Sequence, residues 1–205
     1  MAGEKTRTKI VDALIELLAD RDFADIGLAD VAKAAGIPLG TLRESFDGKL
    51  AIVADFSRRI DQVVLGGDTP EEGTPRQRLF EIFMRRFDAL RPHVAGLKGL
   101  ARSARRDPLL ARALHRLALG SQKWMLVAAN IHHGGFLGVI AINGAVLIYA
   151  DTLRTFLDDD DPGLARTMAA LDRGLDRGEQ AMRLVNDVCS VPRRFAGRDR
   201  VSRSD

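Results

Sequence analysis

The side chains with the clearest chemical potential lie together in one short stretch. Leu39, Gly40, Thr41, Arg43 and Glu44 fall on or near the outward side of a short predicted helix. An arginine can contact a phosphate or pair with both acceptors of a guanine in the major groove. A solvent-facing helix with such side chains could therefore read double-stranded DNA.

The surrounding pattern predicts the elements that would position this helix. A first helix is expected over 28–35, and Gly36 suits the turn that ends it. Pro38 suits the first turn of the next helix, where Leu42 and Phe46, four residues apart, share a buried face. The spacing is typical of a helix-turn-helix motif. It is also compatible with an ordinary helical bundle that never meets DNA.

The charges are distributed unevenly along the 205 residues. The net charge is +3, but residues 1–66 hold nine Lys/Arg against eleven Asp/Glu, whereas residues 67–123 hold twelve against six. Residues 124–188 are acidic, with five against nine. Phosphate contacts usually dominate affinity for DNA, so the acidic balance of the first segment counts against strong binding.

The apolar periodicity is helical throughout, which predicts an all-α fold. A helix-turn-helix head is expected over 1–66 and a larger ligand-binding and dimerisation domain over 75–188, followed by a disordered basic tail over 189–205. A helix capped by Thr6 or Thr8 should open the chain over about 9–19. The other helices are predicted over 49–65, 75–90, 93–106, 108–128, 136–157 and 164–188.

Composition indicates a cytoplasmic protein. Cys189 is the only cysteine, so no internal disulfide can form, and the polar first residues do not resemble a secretory signal. The most apolar run, 136–149, contains Gly and Asn and is too short to span a bilayer. We interpret it as a buried helix.

Residues 7–53 resemble the N-terminal domain of the TetR family of bacterial transcriptional regulators. The resemblance implies a homodimer that binds a palindromic DNA operator, and repression that a small apolar effector relieves. It also implies dimerisation through the last two long helices, 136–157 and 164–188. It rests on Phe23, 30–32, 34–37, 40–42, Phe46 and Lys49.

The same resemblance implies roles for individual residues. Leu39 and Thr41 would begin the recognition helix, and Gly40 would allow close approach of the backbone. Arg43 would contact phosphate or a base, and Lys49 would bind phosphate at the start of the following helix.

The sequence also departs from the family pattern in two places. Gly27 stands where the family usually has a capping Ser or Thr, and Arg43 stands where it usually has Tyr.

A second resemblance leads to an alternative function. Residues 147–179 are similar to the C-terminal region of ubiquinone-biosynthesis accessory proteins, which share the TetR fold but bind lipids. The alternative is therefore a protein that carries an apolar or isoprenoid-like lipid and does not bind DNA.

Large side chains in the second domain could line a pocket for an apolar effector, or they could be ordinary core. The candidates for ligand binding are Phe83, Phe87, Trp124, Met125 and Tyr149.

The sequence offers no convincing site for catalysis, a cofactor or a metal ion. Adjacent His132 and His133 point in different directions on a helix, and the acidic run 158–161 lacks the spacing of a calcium loop. No nucleophile elbow or phosphate loop is present, so we expect no enzymatic activity. The arginines after Pro192 could attract nucleic acid or an anionic membrane, or simply keep the tail soluble.

Overall fold

A computed structural model describes residues 3–68, 72–132 and 134–190, with side chains up to residue 187. The described residues form nine α-helices and two short 3₁₀ turns, with no strand among them, which confirms the predicted all-α fold. The helices are α1 Glu4–Asp20, α2 Leu28–Ala34, α3 Leu39–Ser45, α4 Lys49–Leu65, α5 Pro75–Leu90, α6 Val94–Arg106, α7 Pro108–Ala128, α8 Gly135–Leu157 and α9 Ala165–Ser190.

Helix α1 begins earlier than its apolar pattern predicted. Its first turn is polar and forms because the extended Gly3 carbonyl accepts hydrogen bonds from the N–H groups of Thr6 and Arg7. The predicted threonine cap is wrong, since the Thr8 hydroxyl donates to the Glu4 carbonyl from inside the helix.

Helix α4 directs a carboxylate into the head, which consists of α1 to α4. Asp55 is buried, whereas Leu50 on the same helix is 44% exposed. Asp55 accepts hydrogen bonds from Arg7 on α1 at 3.0 Å and from Arg59 at 2.8 Å. Burial alone would raise the pKa of Asp55, but these arginines outweigh burial and lower it. An ion pair therefore ties α4 to α1.

One apolar core continues from the head into the body, which consists of α5 to α9. Helix α6 crosses α1 at very close range, because a Cβ added to Gly99 would lie 1.6 Å from the Leu18 carbonyl oxygen. The domain boundary predicted between α4 and α5 stays a prediction. Most of the predicted tail, 191–205, lies outside the described residues.

Helix α8 has nearly the predicted bounds but is less buried than predicted. It has 23 residues, and among the described helices it alone is long and apolar enough to cross a membrane by composition; only 22% of its most apolar window is buried. This is weak evidence for a membrane span, because core helices of soluble proteins pass the same test. One side packs along α9, while Phe136, Val139 and Leu147 are exposed.

Candidate DNA-binding face and ligand cavity

The turn between α2 and α3 has the geometry that the sequence predicted. Gly36 adopts a positive φ of 65°, and the N–H of Ile37 donates to the Ala32 carbonyl at 3.0 Å. These are features of a glycine-terminated helix end. Leu42, 1% exposed, and Phe46 hold the inner side of α3 against the core.

The outer side of α3 forms an exposed surface, which we call the recognition face: Leu39, Gly40, Thr41 and Arg43. Leu39 is 52% exposed, Thr41 is half-buried and the Arg43 side chain is largely exposed. A Cβ added to Gly40 would meet no heavy atom within 4 Å, so the backbone is uncovered there. Contact of these residues with DNA stays a prediction.

The electrostatics of this face are close to neutral. Arg43 pairs with Asp47 one turn later, and Glu44 beside it is exposed. Lys49 does not extend into solvent with these residues: its amino group donates to the Phe23 carbonyl and lies 4.5 Å from the Phe23 ring centroid. Burial lowers the pKa of Lys49. A phosphate contact by Lys49 would therefore compete with a contact inside the head.

A carboxylate from within α2 holds the start of that helix, where Gly27 has no side-chain oxygen to act as a cap. The Asp30 carboxylate accepts a hydrogen bond from the Gly27 N–H at 2.8 Å and pairs with Arg21 at 3.1 Å. Both contacts lower the pKa of Asp30, the first more than the second. Helix α2 thus begins without the hydroxyl that the family usually has there.

The body contains an apolar cavity of about 240 Å³ between α5, α7, α8 and α9. Arg76 and Glu179 are among its lining residues. The Arg76 guanidinium is 2.6 Å from a carboxylate oxygen of Asp172 and 2.8 Å from one of Asp176. The apolar lining includes Leu79, Leu126, Ala145, Ile148, Leu175 and Met182.

None of the five residues predicted to bind a ligand lines this cavity. Phe83, Phe87 and Met125 are fully buried core, and the Tyr149 ring stacks on Phe87 with centroids 5.5 Å apart. Trp124 is 57% exposed and borders a separate depression near α4. Side-chain size selected mainly buried core residues, whereas the cavity is lined mainly by smaller aliphatic residues.

A buried polar cluster, missed in the sequence, joins α4 to the body: Asp61, Arg86, Ser121 and Tyr149. Arg86, 4% exposed, pairs with Asp61 and donates from Nε to the Tyr149 hydroxyl at 3.2 Å. The Ser121 hydroxyl donates to Asp61 at 2.8 Å. The available signal was the position of Arg86 on the apolar face of α5, three residues after Phe83.

The acidic run before α9 shapes the start of that helix. Asp159 accepts hydrogen bonds from the Thr167 N–H and hydroxyl, and Asp161 accepts from the Ala165 N–H. His132 contacts Asn130 at 2.8 Å, and His133 lies outside the described residues. Within the described ranges, no three His, Cys, Asp or Glu residues are grouped as a metal site requires.

Comparisons with known proteins identify the fold. No protein-family model and no curated protein matches the sequence. A TetR transcriptional regulator from Nitrosomonas europaea superposes with a TM-score of 0.66 at 19% identity, over 85% of this chain and 98% of that one. A TetR regulator from Rhodococcus sp. RHA1 gives 0.58 at 19% identity, over 85% and 95%.

A third solved structure includes a ligand. The transcriptional regulator FadR from Bacillus subtilis, in complex with stearoyl-CoA, gives a TM-score of 0.51 at 17% identity, over 83% of this chain and 96% of that one. The three structures align along nearly their whole length with both the head and the body. The chain therefore has the fold of the TetR family of transcriptional regulators.

Proposed function

We propose that the protein is a ligand-responsive, DNA-binding transcriptional repressor that acts as a homodimer in the cytoplasm. The observation that carries this proposal is the recognition face, an exposed side of a short helix behind a glycine turn, on the fold of known regulators. Leu42 and Phe46 fix the helix from behind, so its outer side can enter a major groove without movement of the helix relative to the head.

The charges of this face predict how it would bind. Residues 39–49 contain Arg43 and Lys49 against Glu44 and Asp47, so their formal charges cancel. Few phosphates would be neutralised, and the dependence of affinity on salt should be shallow. Specificity would come from Thr41 and Arg43 at base edges and from close approach at Gly40, with Arg43 released from Asp47.

The proposed dimer would cover the exposed side of α8. Phe136 and Val139 are three residues apart and Leu147 follows Val139 by eight, about two turns, so all three lie along one face; Leu184 on α9 is also exposed. A second copy placed against this face would remove the apolar stripe from water. Two heads would then face successive major grooves of a palindromic operator.

The cavity in the body would hold the effector. Its apolar lining suits a small apolar molecule, and it adjoins α5 and α7, the two body helices that also pack on α4. Binding there would favour a position of α4 that separates the two recognition faces from the operator.

Selection of sheared genomic DNA from the source organism by the purified protein tests this proposal. We expect enrichment of one palindromic site at physiological salt, and loss of that enrichment in Arg43→Ala. Arg116→Ala is the matched control, since Arg116 is exposed on α7 and has no ion pair within the described residues. Lys49→Ala should weaken binding less.

Two results would contradict the proposal. The first is no enrichment at physiological salt; the second is equal enrichment by Arg43→Ala and wild type. Either would redirect attention to the alternative, a lipid carrier of the same fold, and solvent extraction of the purified protein would then look for bound lipid.

A further inference from the structure

Gln122 is buried with both ends of its side-chain amide unpaired. It has no exposed surface, and neither Nε2 nor Oε1 has a hydrogen-bond partner within the described residues. Buried amides are nearly always paired, because an unpaired donor or acceptor loses its hydration without compensation. Such a side chain therefore destabilises the fold unless it gains a hydrogen-bond partner.

Gln122 does not line the cavity, but it lies one helical turn from Leu126, which does. In an α-helix, residues four apart lie on one face and are separated by about 6 Å along the axis. Leu79 on α5, Leu126 on α7 and Ala145 on α8 line the cavity. On each of these helices a second residue lies four positions, or one turn, away from the lining residue. These second residues are Phe83, Gln122 and Tyr149. The Phe83 and Tyr149 rings are in contact, with centroids 5.9 Å apart. We call Phe83, Gln122 and Tyr149 the inner layer.

We propose that Gln122 is the polar recognition group for the effector, which would reach it when the cavity opens by one helical turn into the inner layer. The inference rests on the proposed function, in which this cavity binds the effector. An unpaired N–H₂ and an unpaired carbonyl side by side complement a group that also has one donor and one acceptor. The matching ligand class is an apolar molecule with a primary amide or lactam head.

The charges around the cavity favour a neutral head. The guanidinium of Arg76 at the cavity wall already faces two carboxylates, Asp172 and Asp176. Glu179 pairs with Arg183 at 2.8 Å. A carboxylate ligand would find no unpaired cation at these positions, and an ammonium ligand would have to compete with Arg76 for Asp172 and Asp176.

Three probes with the same alkyl chain test the head group: decanamide, decanoate and decylamine. Titration calorimetry at neutral pH should show decanamide binding about tenfold more tightly than the other two, since two hydrogen bonds of ordinary strength amount to that factor. Gln122→Met keeps the length of the side chain and removes both polar atoms. This variant should bind decanamide about tenfold more weakly than wild type does.

The ligand-free protein provides a second measurement. Gln122→Met should raise the midpoint of thermal unfolding, because it removes two unpaired buried atoms. Gln180→Met, on an exposed part of α9, is the matched control and should leave both the midpoint and the preference for decanamide unchanged. A lower midpoint in Gln122→Met would indicate that the amide is paired in solution and would overturn the inference.

Equal affinity of wild type for all three probes, or an unchanged preference in Gln122→Met, would also overturn it. None of these measurements uses DNA, so they separate the inference from the proposed function. If the protein binds decanamide selectively but enriches no DNA site, the role of Gln122 is supported and the proposed regulatory function is rejected. If the protein enriches a DNA site but shows no preference for decanamide, the regulatory function is supported and the role of Gln122 is rejected.

Discussion

The head meets the body at two junctions that differ in their chemistry. At the first, α1 crosses α6 so closely that the backbone at Gly96 and Gly99 lies against Ile15 and Leu18. At the second, α4 meets α5 and α7. Here the contact is an ion pair between Asp61 on α4 and Arg86 on α5, and both side chains are flexible.

This difference indicates which junction can change shape. Backbones in contact leave no room for adjustment, so α1 and α6 can move only together. The second junction has a depression beside it at Trp124 and the cavity on the other side of α5 and α7. Side chains there can rearrange within existing space. We therefore expect a signal from the cavity to reach the head through α4.

The largest effect should come from removing one charge at the second junction. In Asp61→Asn, the Arg86 guanidinium stays buried without its carboxylate, which should lower the free energy of unfolding by about 4 kcal/mol. Urea unfolding measures this. The double variant Asp61→Leu/Arg86→Met should recover most of the loss.

The exposed pair of Asp88 and Arg91 supplies the control for that measurement. Asp88→Asn removes a surface ion pair of the same type and should cost less than about 1 kcal/mol. Losses of the same size in Asp61→Asn and Asp88→Asn would show that burial of Arg86 does not matter to stability.

Gly99→Ala, at the first junction, should cause the next largest loss of stability. The added methyl would overlap the Leu18 carbonyl, so one helix has to shift. Overpacking of this kind costs about 1–3 kcal/mol, and we expect the upper end because the obstacle is backbone. Gly120→Ala, exposed on α7 with nothing within 4 Å of the new methyl, is the control and should stabilise the helix. Equal stability of the two variants would contradict the close crossing.

Some features of this molecule could be predicted from the sequence, and others could not. The helix-turn-helix was predictable because Gly36, Pro38, Leu42 and Phe46 specify it within eleven residues. The cluster at Arg86 was not, because its partner Asp61 lies on another helix, 25 positions away, and nothing local marks the pair. The cavity was missed for a related reason: its lining residues come from four helices, and only packing distinguishes them from core.

Gly144→Ala should have a smaller effect and concerns the cavity beside the second junction. Gly144 lines the cavity, and an added methyl would meet no atom within 4 Å. The helix should gain about 1 kcal/mol, as in Gly120→Ala. Gly144→Ala should also reduce affinity for decanamide, whereas Gly120→Ala should not. Equal affinities in calorimetry would place the ligand elsewhere.

The smallest effect concerns pH at the first junction, where Asp22 follows α1 and faces α6. Arg102 at 3.1 Å, followed by Arg106 at 2.7 Å, lowers the pKa of Asp22. A lowered folded pKa stabilises the protein above the unfolded value of about 3.9, and that stabilisation disappears as the pH falls through the folded pKa.

Asp22→Asn should therefore unfold at a lower temperature than wild type near neutral pH, and the difference should shrink below about pH 4. Added salt should shrink it too, because the pair is close to solvent. Asp20→Asn removes the same charge at a position with no ion pair in the described ranges. A similar loss in Asp20→Asn would attribute the effect to net charge and not to the ion pairs of Asp22 with α6.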